Sequence, residues 1–177
     1  MISEIYFSRL LTVILLTALI CDLWFAKIPN VVAFSGMVIG VIYYGAAQGL
    51  IGIGQSIAGL MIGGAVFLPF YLLKGMGAGD IKLMGAVGAL VGLKGIIPAI
   101  VFTALAGGIY ALGLIFFYPR ALKKLILGIV SMIKTLVLAR EFILPSLFEK
   151  GKKPQVRYGV AIAAGTLFSQ WWWPLLK

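Results

Sequence analysis

Residues 74–92 read KGMGAGDIKLMGAVGALVG, an aspartate set in a run of glycine and apolar residues. The chain has only one other aspartate, Asp22, and it is equally out of place, in LLTALICDLWFAKIPN at 15–30. The surroundings decide the fold class. Of 177 residues, 62% are hydrophobic and only 11% charged, with a mean hydropathy of +1.11. A soluble domain carries roughly 25% charged residues. Apolar runs recur here near the ~20 residues that cross a hydrocarbon core. The reading is an all-α polytopic membrane protein, one membrane-embedded domain over 1–177.

Six spans are expected. The first covers about 5–26 and stops at KIPN, where Pro29 turns Ile28 away from helix. The second, 31–47, ends at the polar, glycine-rich QGLIGIGQ of 48–55. A third runs from about 57 to 73. The fourth, about 79–93, relies on Lys82 and Lys94 reaching the interfaces. A fifth covers 96–118 and the last 158–173. The N-terminus lacks a basic n-region and a small-x-small cleavage site, so it reads as a permanent span rather than a signal peptide.

Between the last two spans lies a basic segment, about 119–157. Its charged and polar residues from Arg120 to Glu141 recur near helical spacing, which predicts an amphipathic helix in the cytoplasmic interface. A seventh span over 121–139 is the rival, but it would bury Lys134 in lipid at about 2.5–3.5 kcal/mol. With six spans and the first loop cytoplasmic, that side receives Lys27, Lys74, Lys82 and the nine basic residues from Arg120 to Arg157. Arg9, Lys94 and Lys177 are left outside. The positive-inside bias then puts both termini outside the cytoplasm.

The net charge of +10 therefore belongs to topology and anionic lipid, not to nucleic acid. The chain has no histidine, and Cys21 is its only cysteine. Zinc sites built from His and Cys, internal disulfides, Ser-His-Asp and Cys-His arrangements are all excluded. No metal and no cofactor is expected.

This topology sets Asp22 near the cytoplasmic end of the first span and Asp80 at the cytoplasmic start of the fourth. A charge inside a span is costly unless it faces the bundle interior or a wet cavity. Two carboxylates at one depth can meet each other. A close pair shares a proton, so one acid can deprotonate water while the other protonates a carbonyl oxygen. Helix capping accounts for Asp80 at a helix start, but the macrodipole opposes Asp22 near a helix end. A proton or ion relay in a transporter explains both aspartates as well as proteolysis does. The alternating Gly75, Gly77 and Gly79 permit close approach of another chain; Gly85, Gly88 and Gly92 fit helix packing.

At these residues the sequence resembles the GxGD-type membrane aspartic proteases, and within them the type IV prepilin peptidases. GAGDIKLMGAVG at 77–88 carries the motif, DLWFAKIPN at 22–30 carries the other aspartate with its isoleucine-proline-asparagine turn, and RYGVAIAAG at 157–165 is similar to the start of the family's last span. The resemblance implies a membrane aspartic endopeptidase that removes the short basic leader of a prepilin at the cytoplasmic face of the inner membrane. Asp22 and Asp80 match the catalytic pair, Gly77 and Gly79 the motif glycines that shape the approach to the acid, and Lys82 a motif lysine outside the dyad. The chain is similar to the short form of tight-adherence (Flp-type) pilus systems, since the cysteine-rich segment of the longer enzymes is missing. Protease activity without N-methyltransferase activity is therefore expected. Archaeal preflagellin peptidases are the nearest sister reading. Expected partners are prepilins and anionic lipid.

Overall fold

The computed structural model describes residues 2–25, 27–72, 76–117 and 158–172, with side chains for 8–25, 27–72, 76–113 and 158–172. Four helices account for nearly all of them: α1, Ile2–Phe25; α2, Asn30–Leu72; α3, Ala78–Phe117; and α4, Tyr158–Trp172. Three of these are long and apolar enough to cross a membrane. The protein is all-α and multi-span. The segment expected to form the interfacial helix, 119–157, lies outside the described residues.

A continuous helix of 43 residues would be about 65 Å long, twice a hydrocarbon core. The chain avoids this by breaking α2 at Gly49 (φ 61, ψ −143) and α3 at Gly92 (φ 69, ψ −176). Both conformations belong to a region of backbone space that only glycine enters freely. The chain folds back at each break. Gly52 abuts the Tyr44 carbonyl, although eight residues of straight helix would hold them about 12 Å apart. Gly63 likewise meets both Met84 and Ile96. The second half of α2 resumes at residue 50. The expected loop of 48–55 is therefore a one-residue reversal at Gly49, and Gly52 is a packing residue.

Residues 83–90 of α3 are buried on every side. They can be enclosed because the helices around them present small residues. Gly36 and Gly40 from one half of α2, and Gly59 and Gly63 from the other, lie directly on 84–90, with Gly59 against Gly88 backbone to backbone. Such contacts replace the hydrophobic drive that is absent between helices in lipid. Ser56 Oγ donates to the Ala89 carbonyl at 2.8 Å in the same seam, a bond worth about 1 kcal/mol. Gly85 and Gly88 are thus packing glycines, as their spacing suggests, while Gly92 makes the turn. Leu11, Leu15, Ala18, Leu83, Met84, Leu90, Ile96 and Ile162 join in one core. Large apolar side chains such as Val13, Leu16 and Ile20 on α1 remain exposed, as lipid-facing positions require.

Residues 1–107 with 156–177 form one compact unit, and 108–155 form a second. The last turns of α3 run into the second; the core, the reversals and the site residues all lie in the first. The two reversals share one end of it, since the Gly92 turn lies against the Tyr44 hydroxyl. Asp22, the KIPN turn, the start of α3 and the start of α4 occupy the other.

Candidate active site

The start of α3 fixes Asp80. Gly77 precedes the helix, and Asp80 is its third residue. The Asp80 N–H donates to the Gly77 carbonyl at 3.1 Å, and the Gly77 N–H donates to Asp80 Oδ2 at 3.0 Å. This is half of a capping box: the acid reaches back to the residue before the helix, where the macrodipole also favours negative charge. Asp80 has a local reason to sit here. Only 8% of it is exposed.

Asp22 has no such reason. It lies in the last turn of α1, where the macrodipole works against a carboxylate, and it is 6% exposed. Its position is set by the α1 residues one and two turns earlier, Ala18 and Leu15, both fully buried in the core. Its charge acts on Asp80, so the two acids lie within electrostatic reach of each other. The first turn of α4 closes the group. Gly159 lies against the Asp22 carboxylate, and Tyr158 lies within electrostatic reach of Asp80.

Lys82 points elsewhere, as a residue two positions along a helix should. Its Nζ donates to Asn30 Oδ1 at 2.9 Å and lies 5.5 Å from the centre of the Phe34 ring. Gly79 packs on Ile28; a side chain at Gly79 would come within 3.2 Å of the Ile28 Cβ. Two motif residues of α3 therefore grip the KIPN turn that follows the end of α1, a few residues after Asp22. Gly77 is different: it is exposed, and the space of its absent side chain lies 3.2 Å from Asp80 Oδ2.

The structure thus sets Gly77 directly beside Asp80, brings Asp22 within electrostatic reach of that acid, and places Gly79 and Lys82 on the turn. Sequence reasoning missed three partners: Ile28 and Asn30, which receive Gly79 and Lys82, and Gly159 beside Asp22. Ile28 and Asn30 belong to the same quoted turn, and Gly159 to the RYG block. Their proximity to the motif was there as shared membership of short blocks, but no local pattern pairs one block with another.

Chemically, two nearby buried carboxylates without a histidine suit proton transfer in both directions at one centre. The comparisons with known proteins point the same way. The family model for the type IV leader peptidase family matches residues 9–112. That range contains both aspartates, the KIPN turn and the whole of the glycine motif. No curated protein and no solved structure matches the chain.

Proposed function

The chain belongs to the type IV leader peptidase family and is a membrane aspartic peptidase, and from that premise we propose that Asp22 and Asp80 are its catalytic dyad. The observation that carries the reading is their proximity: two buried acids, 58 positions apart and on different helices, within electrostatic reach at one end of the bundle. Leaving both ionised in that setting costs several kcal/mol, which packing alone gives no reason to bear.

The dyad holds one proton between its two carboxyl groups. The ionised acid takes a proton from a water molecule, whose oxygen attacks the scissile carbonyl carbon. The other acid gives its proton to the carbonyl oxygen, so no oxyanion stands unneutralised. Collapse of the tetrahedral adduct breaks the C–N bond as the departing nitrogen is protonated and the adduct's hydroxyl gives up its proton. The dyad returns to one shared proton. The bond to the Gly77 N–H stabilises negative charge on Asp80.

The finer reading follows the resemblance. Six spans cross the membrane, with α2 and α3 each contributing two around Gly49 and Gly92. The two termini are outside, the dyad faces the cytoplasm, and the whole chain, 1–177, acts as one peptidase domain. The basic segment of 119–157 lies on anionic lipid, at about 1 kcal/mol per basic residue near the surface. The substrate is an Flp-like prepilin, cleaved after its short basic leader without subsequent N-methylation. The family match favours this over ion transport.

The test is co-expression with an Flp-like prepilin and detection of leader removal by mobility and mass. Asp22→Asn and Asp80→Asn should each abolish cleavage while the protein still inserts. The double variant should be no worse, because residues that act as a unit lose activity non-additively. Asn accepts the Gly77 N–H through its own oxygen, so a purely capping Asp80 would leave Asp80→Asn active. Cleavage by either variant at normal expression sinks the dyad. Cleavage of a preflagellin but not of the prepilin would move the substrate to the sister branch.

A further inference from the structure

We propose that the first turn of α4 is a third element of the catalytic site, and that Gly159 is a positioning residue that makes room for the Asp22 carboxylate. The proposal rests on the dyad reading above. It concerns a helix that begins 46 positions beyond the end of the family match.

Gly159 is buried, and a Cβ placed there would lie 2.7 Å from Asp22 Oδ2 and 3.0 Å from both its Cγ and its Cβ. No side chain fits without a shift. The other closely packed glycines of the unit mostly face backbone: Gly40 faces Ala89, Gly59 faces Gly88, and Gly165 faces Thr103. Gly77 and Gly159 are the two described glycines that face a carboxylate, one for each aspartate. At Gly77 the clearance to Asp80 Oδ2 is 3.2 Å, and at Gly159 it is tighter.

Something must yield if Gly159 acquires a methyl group, and the helix is poorly placed to do so. The next turns of α4 are locked: Ala161, Ile162 and Ala163 are buried in the core, and Gly165 sits directly on the Thr103 backbone. Rotation of the Asp22 side chain relieves the contacts with Oδ2 and Cγ, though not the one with Cβ, so the carboxylate moves first. Its separation from Asp80 then changes, and with it the sharing of the proton. Tyr158, next in the chain, brings the same turn within electrostatic reach of Asp80.

The test uses the full chain in membranes with an Flp-like prepilin, measuring kcat and KM across pH. Gly159→Ala should lower kcat about 100-fold, the scale on which small misplacements act, with KM little changed. The spacing between the acid and alkaline limbs of the kcat profile should shift by about half a pH unit or more, because both limbs belong to the pair. Gly165→Ala, on the same helix but facing backbone, should reduce thermal stability and leave both limbs in place. If Gly159→Ala does not accumulate, adding Asp22→Gly removes all three close contacts and should restore the protein to the level of Asp22→Gly alone. Failure of that rescue overturns the proposal. So does Gly159→Ala with normal kcat, or with reduced kcat and unmoved limbs. Should Asp22→Asn itself prove active, the dyad reading fails; with Asp22→Asn dead and Gly159→Ala normal, only the role of Gly159 does.

Discussion

Replacing Lys82 by methionine should loosen the site without touching either acid. The Lys82 ammonium donates to Asn30 in an exposed bond of 2.9 Å and lies 5.5 Å from the Phe34 ring centre. A hydrogen bond to a charged group contributes about 1.5–3 kcal/mol, and partial exposure argues for the lower half of that range. The contact with Phe34 adds about 0.5 kcal/mol at such a site. Methionine keeps most of the apolar stem, so its packing offsets little of the loss. Together the two contacts give about 2 kcal/mol, or roughly 30-fold, if undocking of the KIPN turn is what moves Asp22. The assay is kcat/KM for prepilin cleavage in membrane vesicles, run as a cycle with Asn30→Ala. The double variant should recover about 1.5 kcal/mol relative to the sum of the single losses, because both remove the same bond. Lys82→Arg, which can reach Asn30 in another geometry, should fall between. Losses that add to within about 0.3 kcal/mol would refute the clamp and leave Lys82 as a residue acting alone.

The two reversals should differ in sensitivity: Gly49→Ala meets nothing within 4 Å and loses only the backbone term of about 1–3 kcal/mol, whereas Gly92→Ala also strikes the Tyr44 hydroxyl at 2.6 Å. Thermal melts in detergent should therefore rank Gly92→Ala below Gly49→Ala, with Tyr44→Phe relieving part of the difference; equal melting temperatures would contradict this. A reporter fused within 151–153 should read as cytoplasmic and one after Lys177 as external. A cytoplasmic C-terminus would revive the span over 121–139 while leaving the first four crossings unchanged.

Much of the fold is legible in the sequence because lipid simplifies the problem: apolar runs must be helices, and their number and basic flanks set direction. The spans around Asp22 and Asp80 begin and end within a few residues of the expected limits. QGLIGIGQ is instructive. By soluble-protein habits its glycines and glutamines spell a loop, so the third span was expected from 57. In lipid, small residues mark the closest helix contacts. Gly52, Ser56, Gly59 and Gly63 recur every three or four positions, and all four are buried. That spacing could have been read as a packing face, with only Gly49 needed for the turn.

The site was legible in a different way. Parity of crossings puts Asp22 and Asp80 at one end, and that inference needs only the two short connections and the apolar lengths. What holds them there is not encoded locally. Gly79 on Ile28, Lys82 on Asn30 and Gly159 on Asp22 are each a contact between sequence-distant blocks, and each block looks self-sufficient when read alone. The glycines make the point most sharply. In one motif, Gly77 leaves space beside an acid and Gly79 is filled by the chain's own isoleucine, though both carry the same letter and stand two positions apart. Helical geometry separates them, since residues two apart face different neighbours. On the dyad reading, the exposed Gly77 marks the side from which substrate would approach Asp80. Gly79 is covered by Ile28 of the KIPN turn, so under the same proposal an extended leader would enter on the side of the exposed Gly77.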